Sequence, residues 1–215
     1  MTIHLRSGLL LRRLCFFKPN HRNCSKFCQI QTEFHPLETK WNSEILQNLQ
    51  NSFMIIPDFI NEEEEMSLLK EVEPHLKRLV YEKSHWDEAI ILFRETERKH
   101  WNKFNSVIIE RLRQKSFKPE SKVLPYVHVL DLSEDGHIKP HIDSPRVSKI
   151  CLKSTYVPAY LKVLIFYILF IFQFCGDTVA VLSLMANSIL KLVHDQTKEY
   201  SVKYLIPRRS LYIMT

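Results

Sequence analysis

The pattern of apolar and polar positions divides the chain into a helical first half and a β-rich second half. Residues 53–60 predict a short strand that Pro57 breaks. Apolar residues then recur at helical spacing after Asn61, and Glu64 lies three residues on, which is the spacing of a capping box. A second helix is predicted over 99–114. Short extended segments follow Pro119, at 123–132, 138–143, 178–185, 189–194, 200–206 and 210–214. This order predicts an α+β domain whose second half is a sandwich or barrel.

One apolar run does not fit the alternation. Val163–Phe172 is uninterrupted by any polar side chain. A helix that crosses a bilayer needs roughly 20 apolar residues, so we expect no membrane span here. A buried strand is the alternative, and a small membrane-anchored protein that uses residues 156–175 remains a weaker one.

The charge is concentrated at the start of the chain. The formal net charge is +6, yet residues 1–32 contain Arg and Lys but no acid, and the remainder is balanced. Leucines and phenylalanines lie among these arginines, so residues 1–32 predict a mitochondrial presequence. A secretory signal is disfavoured because Arg12 and Arg13 interrupt its apolar run, and a disordered basic tail is the simplest alternative. Residues 33–51 are polar and are interpreted as a linker to a domain at 52–215.

Composition excludes several kinds of site. The chain has 3 glycines and no glycine-rich phosphate-binding motif. Its 5 cysteines are an odd number, and three of them lie before residue 32, so a disulfide framework is not expected. Residues 33–215 carry no net charge, so their overall charge does not favour nucleic-acid binding.

The triplet His141-Ile142-Asp143 carries the candidate chemistry. Alternate side chains of a strand share a face, so His141 and Asp143 would point the same way, as two ligands of a facial triad for Fe(II). Such a site leaves positions for a bidentate 2-oxo acid and oxygen. The alternative to a metal site is a surface strand that carries two polar residues. A second copy, His85-Trp86-Asp87, lacks β alternation and is interpreted as packing or surface polarity near a helix start.

Several separate blocks resemble the AlkB family of Fe(II)/2-oxoglutarate dioxygenases, in its mitochondrial branch, over about residues 50–215. The blocks are Tyr81-Glu82, His85–Asp87, Phe93–Glu97, Val127–Leu132, Ile138–Ser144, Phe174–Gly176, Leu182–Leu184, Leu192–His194 and Ser210–Ile213. The resemblance implies a double-stranded β-helix (jelly roll) with N-terminal helices. It implies Fe(II) on His141 and Asp143, 2-oxoglutarate beside Tyr212, and O2 as co-substrate.

The resemblance also implies a cellular setting. It places the protein in the mitochondrial matrix, and the branch is associated with regulated necrosis and fatty-acid metabolism. Demethylation of mitochondrial tRNA has also been proposed for it. The nucleic-acid members place Asn and Tyr where Leu130 and Leu132 stand here, which argues against base repair. Protein, lipid-related and tRNA substrates remain open, and we expect a monomer.

Two departures from the family pattern change this expectation. Residues 147–173 separate Arg146 from Phe174, whereas the family passes almost directly from Asp-Ser to Phe-Cys-Gly. We interpret 147–173 as a translated intron, since Val-Ser can be encoded by the donor GTAAGT and Phe-Gln by the acceptor TTTCAG. The family pattern also continues beyond Thr215, with the second metal histidine and an arginine that pairs with 2-oxoglutarate.

We therefore expect the C-terminal strands of the jelly roll to be missing and the chain as written to be inactive. His194 lies downstream of Asp143 but matches a different block, so it is interpreted as structural. The alternative of another class is a non-catalytic matrix interaction protein that keeps the fold.

Overall fold

The computed structural model describes residues 31–121, 123–139, 155–156, 167–172, 178–194 and 196–215. The α-helices within them are α1 Ser43–Ser52, α2 Glu62–Leu76 and α3 Lys103–Ser116. A 3-10 turn covers Glu38–Lys40. The first strands are β1 Thr32–His35, β2 Phe53–Ile56, β3 Glu82–Ser84, β4 Ile90–Arg98, β5 Val127–Ile138 and β6 Thr155–Tyr156. The others are β7 Tyr167–Phe172, β8 Val179–Leu184, β9 Ser188–Val193, β10 Ser201–Ile206 and β11 Leu211–Met214.

Side-chain caps determine where the two longer helices begin. The Asn61 side chain accepts a hydrogen bond from the Glu64 amide at 2.8 Å, and the Glu64 carboxylate accepts one from the Asn61 amide at 3.0 Å. This confirms the predicted capping box. The second predicted helix is also confirmed, but it starts at Lys103 because the Asn102 side chain caps it through the Asn105 amide.

The segment expected to be a linker instead carries regular structure. β1 pairs antiparallel with β10, and α1 is capped by Asn42, whose side chain accepts hydrogen bonds from two backbone amides of the first turn. The Trp41 ring lies between them, 5.2 Å from Phe34 and 5.1 Å from Tyr200. Polar composition alone could not reveal this, because a few aromatic contacts hold the segment against β10.

Two antiparallel sheets form the β-rich part. One has seven strands in the order β2-β11-β8-β7-β5-β4-β3, and the other has four in the order β1-β10-β9-β6. Alternation along β8 and β11 places Leu182 and Leu211 in a core with α2 and α3, and Val181 and Tyr212 in a core with the small sheet. We call the first side of the large sheet the helix face and the second the inner face. The α+β class is confirmed, and the jelly roll stays a prediction.

The apolar run contributes a strand. β7 lies between β5 and β8 in the large sheet, and residues 163–166 lie outside the described residues. Across the portions of the chain that the structure describes, no helix is both long and apolar enough to cross a membrane. Only 155–156 and 167–172 of the interval 147–173 are described, so the interpretation as an intron stays a prediction.

A bulge interrupts the pairing of β4 with β5 shortly before the predicted metal pair. The register shifts between Ile91 and Phe93, and Leu92 adopts a φ of 52°. A Cβ at Gly136 would lie 2.5 Å from the Leu92 carbonyl oxygen, so only glycine fits opposite the bulge. The break expected before residue 138 is therefore a bulge within one strand, β5, rather than a turn between two strands.

Candidate functional site

The structure describes one of the three predicted site residues. Tyr212 lies in β11, where it pairs with Ile55 of β2 on one side and Val181 of β8 on the other. Its side chain is buried on the inner face, with 3% of its surface exposed. His141 and Asp143 lie outside the described residues, so their assignment as metal ligands stays a prediction.

Aromatic side chains surround Tyr212 where the two sheets meet. The Phe53 ring lies 6.3 Å from the Tyr212 ring and 4.5 Å from the Tyr204 ring on β10. Burial, and then the negative charge of Glu38, raise the pKa of Tyr204 to about 12. The Tyr204 phenol thus stays neutral at physiological pH, and a neutral phenol can donate a hydrogen bond to an anion.

The second His-x-Asp triplet lies in the turn between β3 and β4, and the expectation of a helix start was wrong. The His85 ring nitrogen Nδ1 lies 2.8 Å from Asp87 Oδ1, which also accepts a hydrogen bond from the Ala89 amide at 2.9 Å. Asp87 therefore closes the hairpin turn and orients His85. Trp86, at the tip, is 87% exposed. The interpretation of this triplet as packing and surface polarity is consistent with these contacts.

A row of alternating carboxylates and imidazoles continues from this turn along the inner face. Glu95 Oε1 lies 4.0 Å from His85 Nε2, and Glu95 Oε2 lies 2.7 Å from His128 Nε2. The hydrogen bond from His128 is the main cause that holds the pKa of Glu95 below its ordinary value. We call His85, Asp87, Glu95 and His128 the polar array. Sequence reasoning missed it, although Glu95 and His128 both lie in blocks that matched the family.

The polar array and Tyr212 share one face of the sheet. Tyr212 is paired with Val181, Val181 with Ile171, and Ile171 with His128, so the two ends belong to one row across four strands. Three strand spacings separate them by about 14 Å. The array offers hydrogen-bond donors and acceptors at one side of the face, and Tyr212 offers a phenol at the other. A polar ligand between the sheets could therefore contact both.

Leu130 and Leu132 lie on β5, two and four residues after His128 and on the same face of the sheet. Both are buried, at 0% and 1% exposure, and pack with Phe93 in the inner-face core. Side chains so enclosed present no polar atom to a nucleobase. Their burial agrees with the sequence-based argument against base repair.

His194 has a structural role at the end of β9. Its Nδ1 accepts a hydrogen bond from the Thr197 amide at 3.3 Å and lies 3.1 Å from the Thr197 hydroxyl. Its backbone amide also donates to Tyr200, so the residue closes the turn to β10. These contacts favour the structural interpretation over a metal ligand.

Within the described residues, no group of three or more His, Cys, Asp or Glu side chains could hold a metal ion. The polar array does not form such a group.

Comparisons with known proteins provide an independent line of evidence. No protein-family model matches the chain. Two curated proteins do, both named alpha-ketoglutarate-dependent dioxygenase alkB homolog 7, mitochondrial. The mouse (Mus musculus) protein is 39% identical over 173 residues, which cover 80% of this chain and 66% of that protein. The bovine (Bos taurus) protein is 36% identical over 170 residues, which cover 79% of this chain and 65% of that protein.

The chain thus spans just under two thirds of the length of these relatives. The similarity extends over about four fifths of this chain, so it involves the sheets and helices as well as a short motif. It supports the resemblance that the separate sequence blocks indicated. On this evidence the chain belongs to the AlkB family and is similar to its seventh, mitochondrial homologues.

Proposed function

We propose that this chain is a mitochondrial Fe(II)/2-oxoglutarate-dependent dioxygenase. The observation that carries the proposal is the position of Tyr212. Tyr212 is buried on the inner face of the large sheet, where it is paired with Ile55 of β2 and Val181 of β8, two strands that lie outside the interval 147–173. The names of both relatives include the use of alpha-ketoglutarate and a mitochondrial location, which supports the same assignment.

The donor set of the predicted centre suits non-haem iron in type. An imidazole and a carboxylate are two of the three ligands of a facial triad, and His141 and Asp143 would provide them. When bound, Fe(II) would supply the oxidation of a substrate C–H bond, coupled to decarboxylation of 2-oxoglutarate to succinate.

Tyr212 would bind the co-substrate. Its phenol hydroxyl would donate a hydrogen bond to a carboxylate oxygen of 2-oxoglutarate, and its burial would exclude water from that contact. A hydrogen bond to a charged group contributes about 1.5–3 kcal/mol. Because Phe53 packs against its ring, Tyr212 would be held in place before the co-substrate arrives.

The polar array would contact the primary substrate. Its carboxylates and imidazoles form a surface that can accept and donate hydrogen bonds, while Leu130 and Leu132 leave no polar group for reading a base. We therefore favour a substrate with polar hydrogen-bonding groups in the mitochondrial matrix, with protein ahead of tRNA. The associations with regulated necrosis and fatty-acid metabolism would follow from this activity.

Anaerobic titration of Fe(II) and 2-oxoglutarate, followed by visible absorption, tests the proposal. The protein is expressed from its full-length cDNA. A chelated 2-oxo acid on Fe(II) gives a visible charge-transfer band, which we expect for the unmodified protein and not for His141→Ala or Asp143→Ala. The matched control is His85→Ala, since His85 belongs to the other His-x-Asp triplet, and it should keep the band.

Two results would contradict the proposal. The first is no band in a full-length protein that is folded by circular dichroism, which would favour a non-catalytic interaction protein. The second is a band that survives His141→Ala but not His85→Ala, which would move the metal to the β3–β4 turn.

A further inference from the structure

A cleft lies on the helix face of the large sheet, on the side opposite Tyr212. It lies beneath α2 and has a volume of about 560 Å³. This is within the range of small-molecule pockets in proteins, roughly 300–1,000 Å³. Its apolar lining includes Met66, Leu69, Leu76 and Met185. Methionine side chains adapt to ligands of different shape, so the lining suits an apolar body of variable outline.

A buried carboxylate lies at the floor of this cleft. Asp131 is 0% exposed, and its Oδ2 accepts hydrogen bonds from Arg94 Nε at 2.7 Å and from the Tyr81 hydroxyl at 3.0 Å. Its other oxygen, Oδ1, is buried and has no hydrogen-bond partner. Buried acceptors are almost always satisfied, and one that is not costs about 1–3 kcal/mol. The unpartnered oxygen therefore indicates a donor that binds there.

The position of Asp131 in β5 directs it towards the cleft. Val127 and Val129, which are four and two residues before it, belong to the helix-face core, so Asp131 points to the same side. Its paired residue, Arg94, also lines the cleft. Asp131 therefore lines this cavity and does not face the inner-face site.

The charge balance determines which donor fits. Arg94 already neutralises Asp131, so a cation would bring an unpaired charge into a buried place, which is costly. An anion would meet the Asp131 carboxylate, with Glu63 and Glu73 also lining the cleft. A neutral hydroxyl or amide N–H satisfies Oδ1 without changing the charge.

We propose that the cleft beneath α2 binds a small amphipathic molecule whose neutral hydroxyl or amide N–H donates a hydrogen bond to Asp131 Oδ1. Its apolar body packs against Met66, Leu69 and Met185. Lys70, at the exposed side of the cleft, leaves room for a polar tail in solvent. The cleft is separate from Tyr212, the proposed contact of 2-oxoglutarate, because the large sheet lies between them.

Methyl NMR of methionine-labelled protein tests this proposal without any need for enzymatic activity. The probe is 1-octanol, and octyl methyl ether is the matched molecule that lacks a donor. The methyl signals of Met66 and Met185 should shift saturably with 1-octanol. Those of Met54 and Met214, which lie on β2 and β11 and outside the cleft lining, serve as internal references.

The expected affinity for 1-octanol is about tenfold higher than for the ether, as one hydrogen bond to a charged group implies. Met66→Trp should fill the cleft and abolish the shifts. Val107→Trp is the matched control, since Val107 is 64% exposed on α3 and does not line the cleft.

Several outcomes would overturn the proposal. Equal affinity for alcohol and ether would show that Oδ1 needs no ligand donor and is satisfied by water alone. Tighter binding of octylammonium than of 1-octanol would contradict the neutral-donor assignment. The absence of saturable shifts at Met66 and Met185 would show that the cleft is not a binding site. Each outcome is read on the unmodified protein, so none depends on whether the variants fold.

Discussion

Arg94 and Glu95 are neighbours on β4, but they form ion pairs on opposite faces of the large sheet. Arg94 donates to the fully buried Asp131 on the helix face, whereas Glu95 contacts the partly exposed His128 on the inner face. One strand thus holds a structural pair and a member of the polar array at consecutive positions. The two pairs differ mainly in burial, so their contributions to stability should differ.

Replacement of Arg94 should destabilise the protein far more than replacement of Glu95. Arg94→Met leaves the carboxylate of Asp131 buried and unpaired, which should lower the free energy of unfolding by about 3–5 kcal/mol. Glu95→Gln removes a partly exposed pair and should cost about 1 kcal/mol or less. Urea unfolding followed by fluorescence measures both. Equal losses would contradict the conclusion that the Arg94–Asp131 pair is buried and the Glu95–His128 pair is partly exposed.

The loss in Arg94→Met should also depend on pH. Burial raises the pKa of Asp131 in the folded protein above its ordinary value. Because the pKa of Asp131 is higher in the folded protein than in the unfolded chain, Asp131 favours folding less as the pH rises through the folded pKa. Loss of Arg94 raises that folded pKa further. The destabilisation should therefore be smaller in mildly acidic buffer than at neutral pH.

The pair of Glu64 and Arg111 should contribute stability with the opposite pH dependence. The Arg111 guanidinium donates to both carboxylate oxygens at 2.9 Å and is the main cause that holds the pKa of Glu64 below its ordinary value. On acidification, Glu64 therefore takes up its proton at a higher pH in the unfolded chain than in the folded protein. The contribution is present above the ordinary pKa and is lost as the pH falls through the folded one.

Unfolding of Arg111→Met at several pH values checks this sign. The variant should be less stable than the unmodified protein by roughly 1 kcal/mol or less at neutral pH, because Arg111 is partly exposed. The two curves should converge in acid. Lys77→Met is the control, since it breaks an exposed pair with Glu73 at the other end of α2. A difference that grows on acidification would contradict the argument.

Local patterns predicted the helices α2 and α3 and the strands β5 and β8 to β11, because the causes of these elements are local, but they did not predict β1, α1, β3 or β4. The capping residues Asn61 and Glu64 are three positions apart, and the inner-face side chains of β8 and β11 alternate with period two. Contacts between distant segments were not predictable in this way. Glu95 and His128 are 33 residues apart, and Asp131 and Tyr81 are 50 apart. Only the fold reveals that they meet.

The predicted site shows the same limit. The alternation around Tyr212 and the family resemblance agree with its burial on the inner face. The side of β5 on which Asp131 lies became clear only from the core to which Val127 and Val129 belong. His141 and Asp143 remain predictions from the sequence.

The interval 147–173 should be absent from the mature message. We expect cDNA sequenced across codons 140–180 to join Arg146 directly to Phe174. This would remove β7 from the middle of the large sheet. β5 and β8 each run antiparallel to β7 and hence parallel to each other, so the spliced chain would need new pairing there. A continuous message through these codons would contradict the intron and make β7 a native strand.

The most direct test of the account compares two neighbouring tyrosines in the binding of 2-oxoglutarate. Tyr212 and Tyr204 both lie near Phe53, but only Tyr212 is proposed to contact the co-substrate. The dissociation constant of 2-oxoglutarate is measured anaerobically, with Fe(II), on protein from the full-length cDNA. Tyr212→Phe should weaken binding by about tenfold or more, and Tyr204→Phe should leave it nearly unchanged. Unchanged binding in Tyr212→Phe, or equal weakening in both variants, would contradict the assignment of the inner face as the co-substrate site.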